Sequence, residues 1–230
     1  MKTRSGNTVT IQAEPEPIEI DLRRTAVMVI DMQNAFISKG GFFDLVGKDT
    51  SKSREIIKPI KRICNAARTK QIKVIYVTGC YSPDLSEMGN PTLPCWHKDV
   101  RFYREHPEWR DRFLIRGTWG AEIVKSLQPL EGDVIIQKPK YSAFFGTTLD
   151  IILQTYDIKY LIFLGVATNI CVEASVRDAF YRGYFPILIR DATAPNGPQY
   201  VEDATIFNIK ECYGGVTTFA EIMKKLGGDF

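Results

Sequence analysis

Apolar residues along the chain fall into short runs of strand length, separated by stretches in which they recur every three or four positions. Thr25–Ile30 (TAVMVI) is a run with no charged interruption, the pattern of a strand covered on both faces. Lys73–Thr78, Val134–Gln137, Tyr160–Leu164 and Tyr184–Arg190 share that character, and Val216–Phe219 forms a shorter sixth. Pro186 lies near the start of the fifth run, where a missing N–H is tolerated. Between the runs, Ser53–Lys70 places Ile56, Ile57, Ile60, Ile63, Cys64 and Ala67 at helical spacing. Further helical patterns cover Ala121–Leu127, Thr148–Tyr156, Ile170–Arg182 and Tyr200–Glu211, with Gly183 where a helix-ending glycine belongs. Alternation of this kind predicts an α/β fold: a doubly wound, mostly parallel six-stranded sheet with helices on both faces. Ligands of such sheets bind outside the carboxyl ends of the strands.

Cys80–Thr118 departs from the alternation. It is long, rich in proline and aromatic residues, and weakly periodic. Loops of that length within a compact domain serve function more often than connection, so a lid-like or subunit-contacting segment is expected at about 80–118. Met1–Asp21 carries charges together with Pro15 and Pro17, and reads as a polar leader ahead of one domain over 22–230. A length of 230 residues suits a single core. No stretch has the length and apolarity of a membrane span, and the first residues lack the apolar middle of a signal peptide. A cytoplasmic protein without membrane partners is expected. The net charge is +3, with Lys and Arg spread along the chain, so no nucleic-acid footprint is indicated. Five cysteines, an odd number without a CxxC pair, argue against a disulfide framework and a zinc knuckle.

Three polar side chains fall just after strand-like runs. Asp31 follows Thr25–Ile30, Lys138 follows Val134–Gln137, and Cys171 follows Tyr160–Leu164 and the turn from Gly165 to Ile170. All three therefore point to one edge of the sheet. A carboxylate, an ammonium and a thiol there make a plausible nucleophilic unit. Singly, each has a plain structural explanation: a turn-capping Asp, a solvated Lys, a small apolar Cys. As a unit, Asp31 would take and return the thiol proton, and Lys138 would hold that carboxylate ionised and favour the thiolate. The predicted helix start at Ile170 would lower the pKa of Cys171 from its ordinary value of roughly 8.5. Backbone N–H groups of the Gly165–Cys171 turn would bind an oxyanion.

At these residues the sequence resembles the isochorismatase-like cysteine hydrolases. Ala26–Phe36 (AVMVIDMQNAF) resembles the family's Asp-x-Gln motif, Gln137–Phe145 (QKPKYSAFF) its lysine motif, and Gly165–Asp178 (GVATNICVEASVRD) its nucleophile motif. The resemblance implies Cys171 as nucleophile, Asp31 as acid and base, and Lys138 as third member. It also implies a cis peptide between Val166 and Ala167, with the amides of Ala167 and Cys171 forming the oxyanion hole. Within the family the sequence looks closest to ureidoacrylate amidohydrolases, on Gly40-Gly41, Trp96-His97-Lys98, Lys138–Ser142, Phe145 and Thr168–Glu173. It departs from them at Gly79 and Tyr81, where an Asn and a Trp are usual. Phe36, Glu87, Trp96, Tyr141 and Tyr213 stand as candidate substrate contacts, Glu87 through a ureido N–H.

The implied substrate is a small ureido or carbamoyl compound, with ureidoacrylate first and biuret, triuret or an N-carbamoyl amide as alternatives. Tyr213 stands where biuret hydrolases carry a Gln. An inactive scaffold or binding protein is the reading from another class. Gly79–Pro91 lacks the Asp-x-His-x-x-His metal site of the family's nicotinamidases, and His97 and His106 alone do not suggest zinc. No glycine-rich phosphate loop opens a helix, so neither metal nor cofactor is expected. The family implies a homo-oligomer.

Overall fold

A computed structural model describes residues 7–89 and 99–227 of the chain. In chain order the elements are β1 (Thr8–Ile11), β2 (Ile18–Asp21), β3 (Thr25–Ile30), α1 (Asn34–Ile37), α2 (Phe42–Leu45), α3 (Ser51–Glu55), α4 (Ile57–Thr69), β4 (Lys73–Gly79) and α5 (Asp99–Glu105). They continue with β5 (Val134–Lys138), α6 (Leu149–Thr155), β6 (Tyr160–Val166), α7 (Glu173–Tyr181), β7 (Phe185–Ala194), α8 (Gln199–Asn208), β8 (Gly215–Thr217) and α9 (Phe219–Leu226). The expected six-stranded sheet is present, in the order β5-β4-β3-β6-β7-β8 with every pairing parallel.

The central strands are unbroken apolar runs because each face of the sheet has its own core. Val27 and Val29 of β3 face one side with Ile162 and Leu164 of β6, under Ile60 and Ile63 of α4 and Ile222 and Met223 of α9. Ala26, Met28 and Ile30 face the other with Leu161 and Phe163, under Leu149 and Leu153 of α6 and Val176 and Ala179 of α7. The period-two alternation of a strand assigns neighbours to opposite cores. Where β3 and β6 close on each other, Gly165 has φ +110° and a Cβ there would lie 2.1 Å from the Ile30 carbonyl oxygen. Only glycine meets both demands.

Four expectations are corrected. Residues 8–21, read as part of a polar leader, form the antiparallel ribbon β1–β2, with Ile11, Ile18 and Ile20 buried in the first core. Glu14 and Val216 exchange both backbone hydrogen bonds, at 2.8 and 2.9 Å, which fastens the ribbon beside β8. Its polar residues are the solvent side of an alternating strand, and that alternation is what made the segment look like a leader.

Ala121–Leu127, expected helical, forms only single turns at Trp119–Ala121 and Lys125–Leu127. Hydrogen bonds to the exit of β3 (Asn34 N to Glu122 O, 2.9 Å; Val124 N to Met32 O, 3.0 Å) hold it extended instead. The helix expected from Ile170 starts with a wide π turn, Thr168–Val172, before α7. The last expected strand, Val216–Phe219, stops at Thr217. Thr218 then caps α9 by accepting from Glu221 N at 3.3 Å.

The described part of the 80–118 segment packs tightly against the domain. Tyr103, Phe113, Leu114 and Ile115 are buried. The Phe42 ring of α2 lies 5.0 Å from that of Phe113, 5.5 Å from Phe102 and 6.2 Å from Tyr103. Tyr81 N donates to Leu114 O and Arg116 N to Tyr81 O, each at 2.8 Å, so the segment's two ends pair with each other.

Candidate active site

Asp31, Lys138 and Cys171 meet at the carboxyl edge of the sheet. Asp31 leaves β3 with φ +50°, a left-handed conformation that Asp tolerates better than most residues. Its N–H still donates to Val77 O at 2.8 Å, as though the strand continued, while its carbonyl already accepts from Gln33 N at 2.7 Å. Lys138 is the last residue of β5, two strands away. Its side chain reaches Asp31 across Gly79, which ends β4 between them and pairs with Lys138 in register. A Cβ on Gly79 would lie 2.7 Å from a Leu114 methyl carbon and 3.8 Å from Asp31 Oδ1. Gly79 instead contributes its N–H, which donates to Asp31 Oδ1 at 2.9 Å and to Gln33 Oε1 at 2.8 Å.

Lys138 Nζ stands 2.8 Å from Asp31 Oδ2, with side-chain exposures of 3% and 1%. The contact is a buried ion pair. The same Nζ donates to Cys171 Sγ at 3.5 Å and to Lys140 O at 3.1 Å. Burial acts against the charge of Lys138, but Asp31 and the neighbouring sulfur outweigh it and hold its pKa above the ordinary lysine value. The lysine is therefore an ammonium.

The thiol behaves otherwise than expected. Burial pushes the pKa of Cys171 up, the Asp31 charge adds to this, and Lys138 pulls down without overcoming them. The resting group is a protonated thiol between an ammonium and a carboxylate. The expectation of a lowered thiol pKa is corrected: it counted the helix start and the cation but not the dry surroundings.

The cis peptide expected at Val166-Ala167 is present. Ala167 O accepts from Ile170 N at 3.0 Å and Val172 N at 3.2 Å, which draws the chain into the turn that carries the sulfur. Ser175, fully buried, donates to Cys171 O at 2.6 Å and accepts from Ala143 N at 2.9 Å, binding this turn to the loop after Lys138.

A pocket of about 480 Å³, counting its open mouth, ends on these groups. Asp31, Lys138, Ala167 and Cys171 line it together with Phe36, Phe43, Tyr81, Leu114, Tyr141, Ile170 and Asn196. The walls are largely apolar with few polar groups, the usual make-up of a small-molecule site.

Of the expected substrate contacts, Phe36 and Tyr141 line this pocket. Two others are corrected. Glu87 does not line it; the carboxylate accepts from Ser82 N at 2.8 Å and Ser82 Oγ at 2.6 Å and braces its own turn. Tyr213 lies in a separate cleft with Lys159, Gly183 and Phe185, at the amino ends of β6 and β7. There its ring stacks 4.5 Å from the Arg177 guanidinium, and the reversal of chain direction before β8 carries it to the wrong end of the sheet. Trp96 lies outside the described residues.

Sequence reasoning missed Gln33, Phe43, Tyr81, Leu114, Ile170 and Asn196. Gln33 is buried, and its Nε2 donates to Gly79 O at 2.8 Å and Ala121 O at 2.7 Å, fixing the strand that Lys138 crosses. Asn196 follows β7, and the strand-end rule that selected Asp31 applies equally to it. Among the described residues no group of three His, Cys, Asp or Glu is placed to hold a metal ion, and no helix is long and apolar enough to cross a membrane.

Residues 25–221 match the isochorismatase domain family. The chain is 42% identical over 212 residues to a ureidoacrylate amidohydrolase RutB of Agrobacterium fabrum, covering 91% of this chain and 93% of that one. It is also 42% identical to the protein of that name from Serratia proteamaculans, covering 91% and 86%. Among solved structures, a cysteine hydrolase from Pseudomonas syringae pv. phaseolicola superposes with a TM-score of 0.76 at 29% identity, covering 90% of this chain and 94% of that one. The chain belongs to the isochorismatase family.

Proposed function

We propose that this protein is a cysteine amidohydrolase that cleaves the C–N bond of ureidoacrylate, with Cys171 as nucleophile. The observation that carries the chemistry is the contact of one buried ammonium with both the carboxylate and the sulfur, at 2.8 and 3.5 Å, in the lining of a pocket. The likeness to ureidoacrylate amidohydrolases over nine-tenths of the chain supports the substrate.

In this reading Asp31 takes the proton of Cys171 as the sulfur attacks the carbamoyl carbon. The carbonyl oxygen becomes an oxyanion, held by the backbone N–H groups of Ala167 and Cys171. As the C–N bond breaks, Asp31 returns the proton to the leaving nitrogen and aminoacrylate departs. Water then loses a proton to Asp31 and attacks the S-carbamoyl carbon; the C–S bond breaks and the sulfur regains the proton. The second product is carbamate, which decomposes to carbon dioxide and ammonia. Lys138, in contact with both the carboxylate and the sulfur, stays beside the pair throughout. The reaction needs no metal or cofactor.

Phe36 and Tyr141 would flank the substrate. A cytoplasmic location and a homo-oligomeric state belong to the same reading. Ammonia release by purified protein is to be measured over ureidoacrylate, biuret, triuret, N-carbamoyl amides and nicotinamide. Ureidoacrylate should have the highest kcat/KM, and Cys171→Ala and Cys171→Ser should lose turnover by a factor of a thousand or more. Full turnover by Cys171→Ala would refute the covalent scheme, and preference for another amide would refute the substrate.

A further inference from the structure

We infer that Asn196 recognises the ureido group itself, its Oδ1 accepting an N–H of the substrate held against Cys171. The inference rests on the amidohydrolase reading above and adds a substrate contact to it.

Asn196 lies in the loop between β7 and α8 and lines the pocket. Its backbone is held on both sides by one side chain: Asn196 N donates to Asn169 Oδ1 at 2.9 Å, and Asn169 Nδ2 donates to Asn196 O at 3.2 Å. Asn169 belongs to the π turn that carries Cys171, two residues before it. The clasp therefore ties Asn196 to the turn that carries Cys171.

The Asn169 amide is used by this clasp, but the side chain of Asn196 makes no hydrogen bond to the described residues, although it is only partly exposed. The other polar side chains of the wall differ. Asp31 and Lys138 are engaged with each other, and Tyr81 and Tyr141 have interactions of their own. Phe36, Phe43, Leu114 and Ile170 offer no acceptor. A ureido group carries N–H donors on both sides of its carbonyl, and an N–H stripped of water against an apolar wall loses affinity unless it finds an acceptor. The Asn196 carboxamide can supply one. Being neutral, it does so without adding a second negative charge beside Asp31, which would push the Cys171 thiol further up and repel the acrylate carboxylate.

The test combines steady-state kinetics on ureidoacrylate with labelling of Cys171 by methyl methanethiosulfonate, a small thiol reagent without an N–H. Asn196→Ala should lower kcat/KM tenfold or more and leave the labelling rate within twofold of wild type. A kcat/KM for Asn196→Ala within twofold of wild type overturns the inference. So does a labelling rate that falls in step with kcat/KM, since Asn196 would then shape the site rather than touch the substrate. No turnover of any ureido compound by the wild type overturns the amidohydrolase reading, and this inference with it; turnover by the wild type with an unchanged Asn196→Ala variant overturns this inference alone.

Discussion

Replacing Asp31 by Asn keeps the shape of the side chain and removes the charge that holds Lys138 protonated. Lys138 has 3% side-chain exposure, and burial already works against its charge. With the carboxylate gone, two escapes remain. Lys138 can release its proton, which from an ordinary lysine value near 10.4 costs about 4–5 kcal/mol at pH 7 and about 2 kcal/mol at pH 9. Alternatively the Cys171 thiol, 3.5 Å away, can ionise and replace the lost charge, at about 2 kcal/mol from an ordinary thiol value. A Cys171→Ala background closes the second escape.

The comparison is therefore Cys171→Ala against Asp31→Asn/Cys171→Ala, by urea denaturation at pH 7 and pH 9. The double variant should be less stable by about 4–5 kcal/mol at pH 7, within the range for breaking a buried pair. The deficit should shrink to about 2 kcal/mol at pH 9. The direction follows from proton counting: the unfolded chain binds a proton on Lys138 that the folded variant lacks, so stability rises with pH. A deficit below 1 kcal/mol at pH 7, or one that does not shrink at pH 9, would refute the account of Lys138 as a cation held in place by Asp31.

Three further outcomes are expected. Gly165→Ala puts a Cβ 2.1 Å from the Ile30 carbonyl oxygen at φ +110°, so it should cost about 3 kcal/mol or more; a urea midpoint equal to wild type would contradict the close approach of β3 and β6. Burial pushes the Cys64 thiol up to about 12, against a downward pull from Arg68. Its contribution to stability is whole below about pH 8.5 and lost as pH rises toward 12, so Cys64→Ala should flatten that part of the alkaline unfolding curve, and an unaltered slope would count against it. Tyr213→Ala should leave kcat/KM on ureidoacrylate within twofold, because Tyr213 lies in the cleft at the other end of the sheet; a tenfold loss would show that the cleft and the pocket communicate.

The central strands of the sheet were legible because they are buried on both faces, and nothing but an apolar run serves that position. Thr25–Ile30 was read to the residue for this reason. The catalytic candidates were legible because parallel strands deliver their following residues to one edge. Segments governed by tertiary contacts were not. The alternation in Thr8–Asp21 is too short to separate a ribbon from a solvated leader until Ile11, Ile18 and Ile20 are seen against the core. The apolar spacing of Ala121–Leu127 is compatible with a helix, but its backbone groups are claimed by Asn34 and Met32. Helix α9 carried a readable signal that went unused: Thr218 with Glu221 three residues on is a capping pattern, and Gly227 closes the other end. Tyr213 was misplaced because family position was followed without asking which end of the sheet the chain had reached.

The ring cluster joining α2 to the 80–118 segment has a consequence for how substrate range can change. Phe43 and Leu114, two walls of the pocket, are chain neighbours of Phe42 and Phe113, whose rings meet 5.0 Å apart. A size change at Phe42, Tyr103 or Phe113 therefore moves a wall without touching Asp31, Lys138 or Cys171. Descendants of this fold can drift from one amide to another through hidden packing substitutions, while the reactive trio keeps its composition.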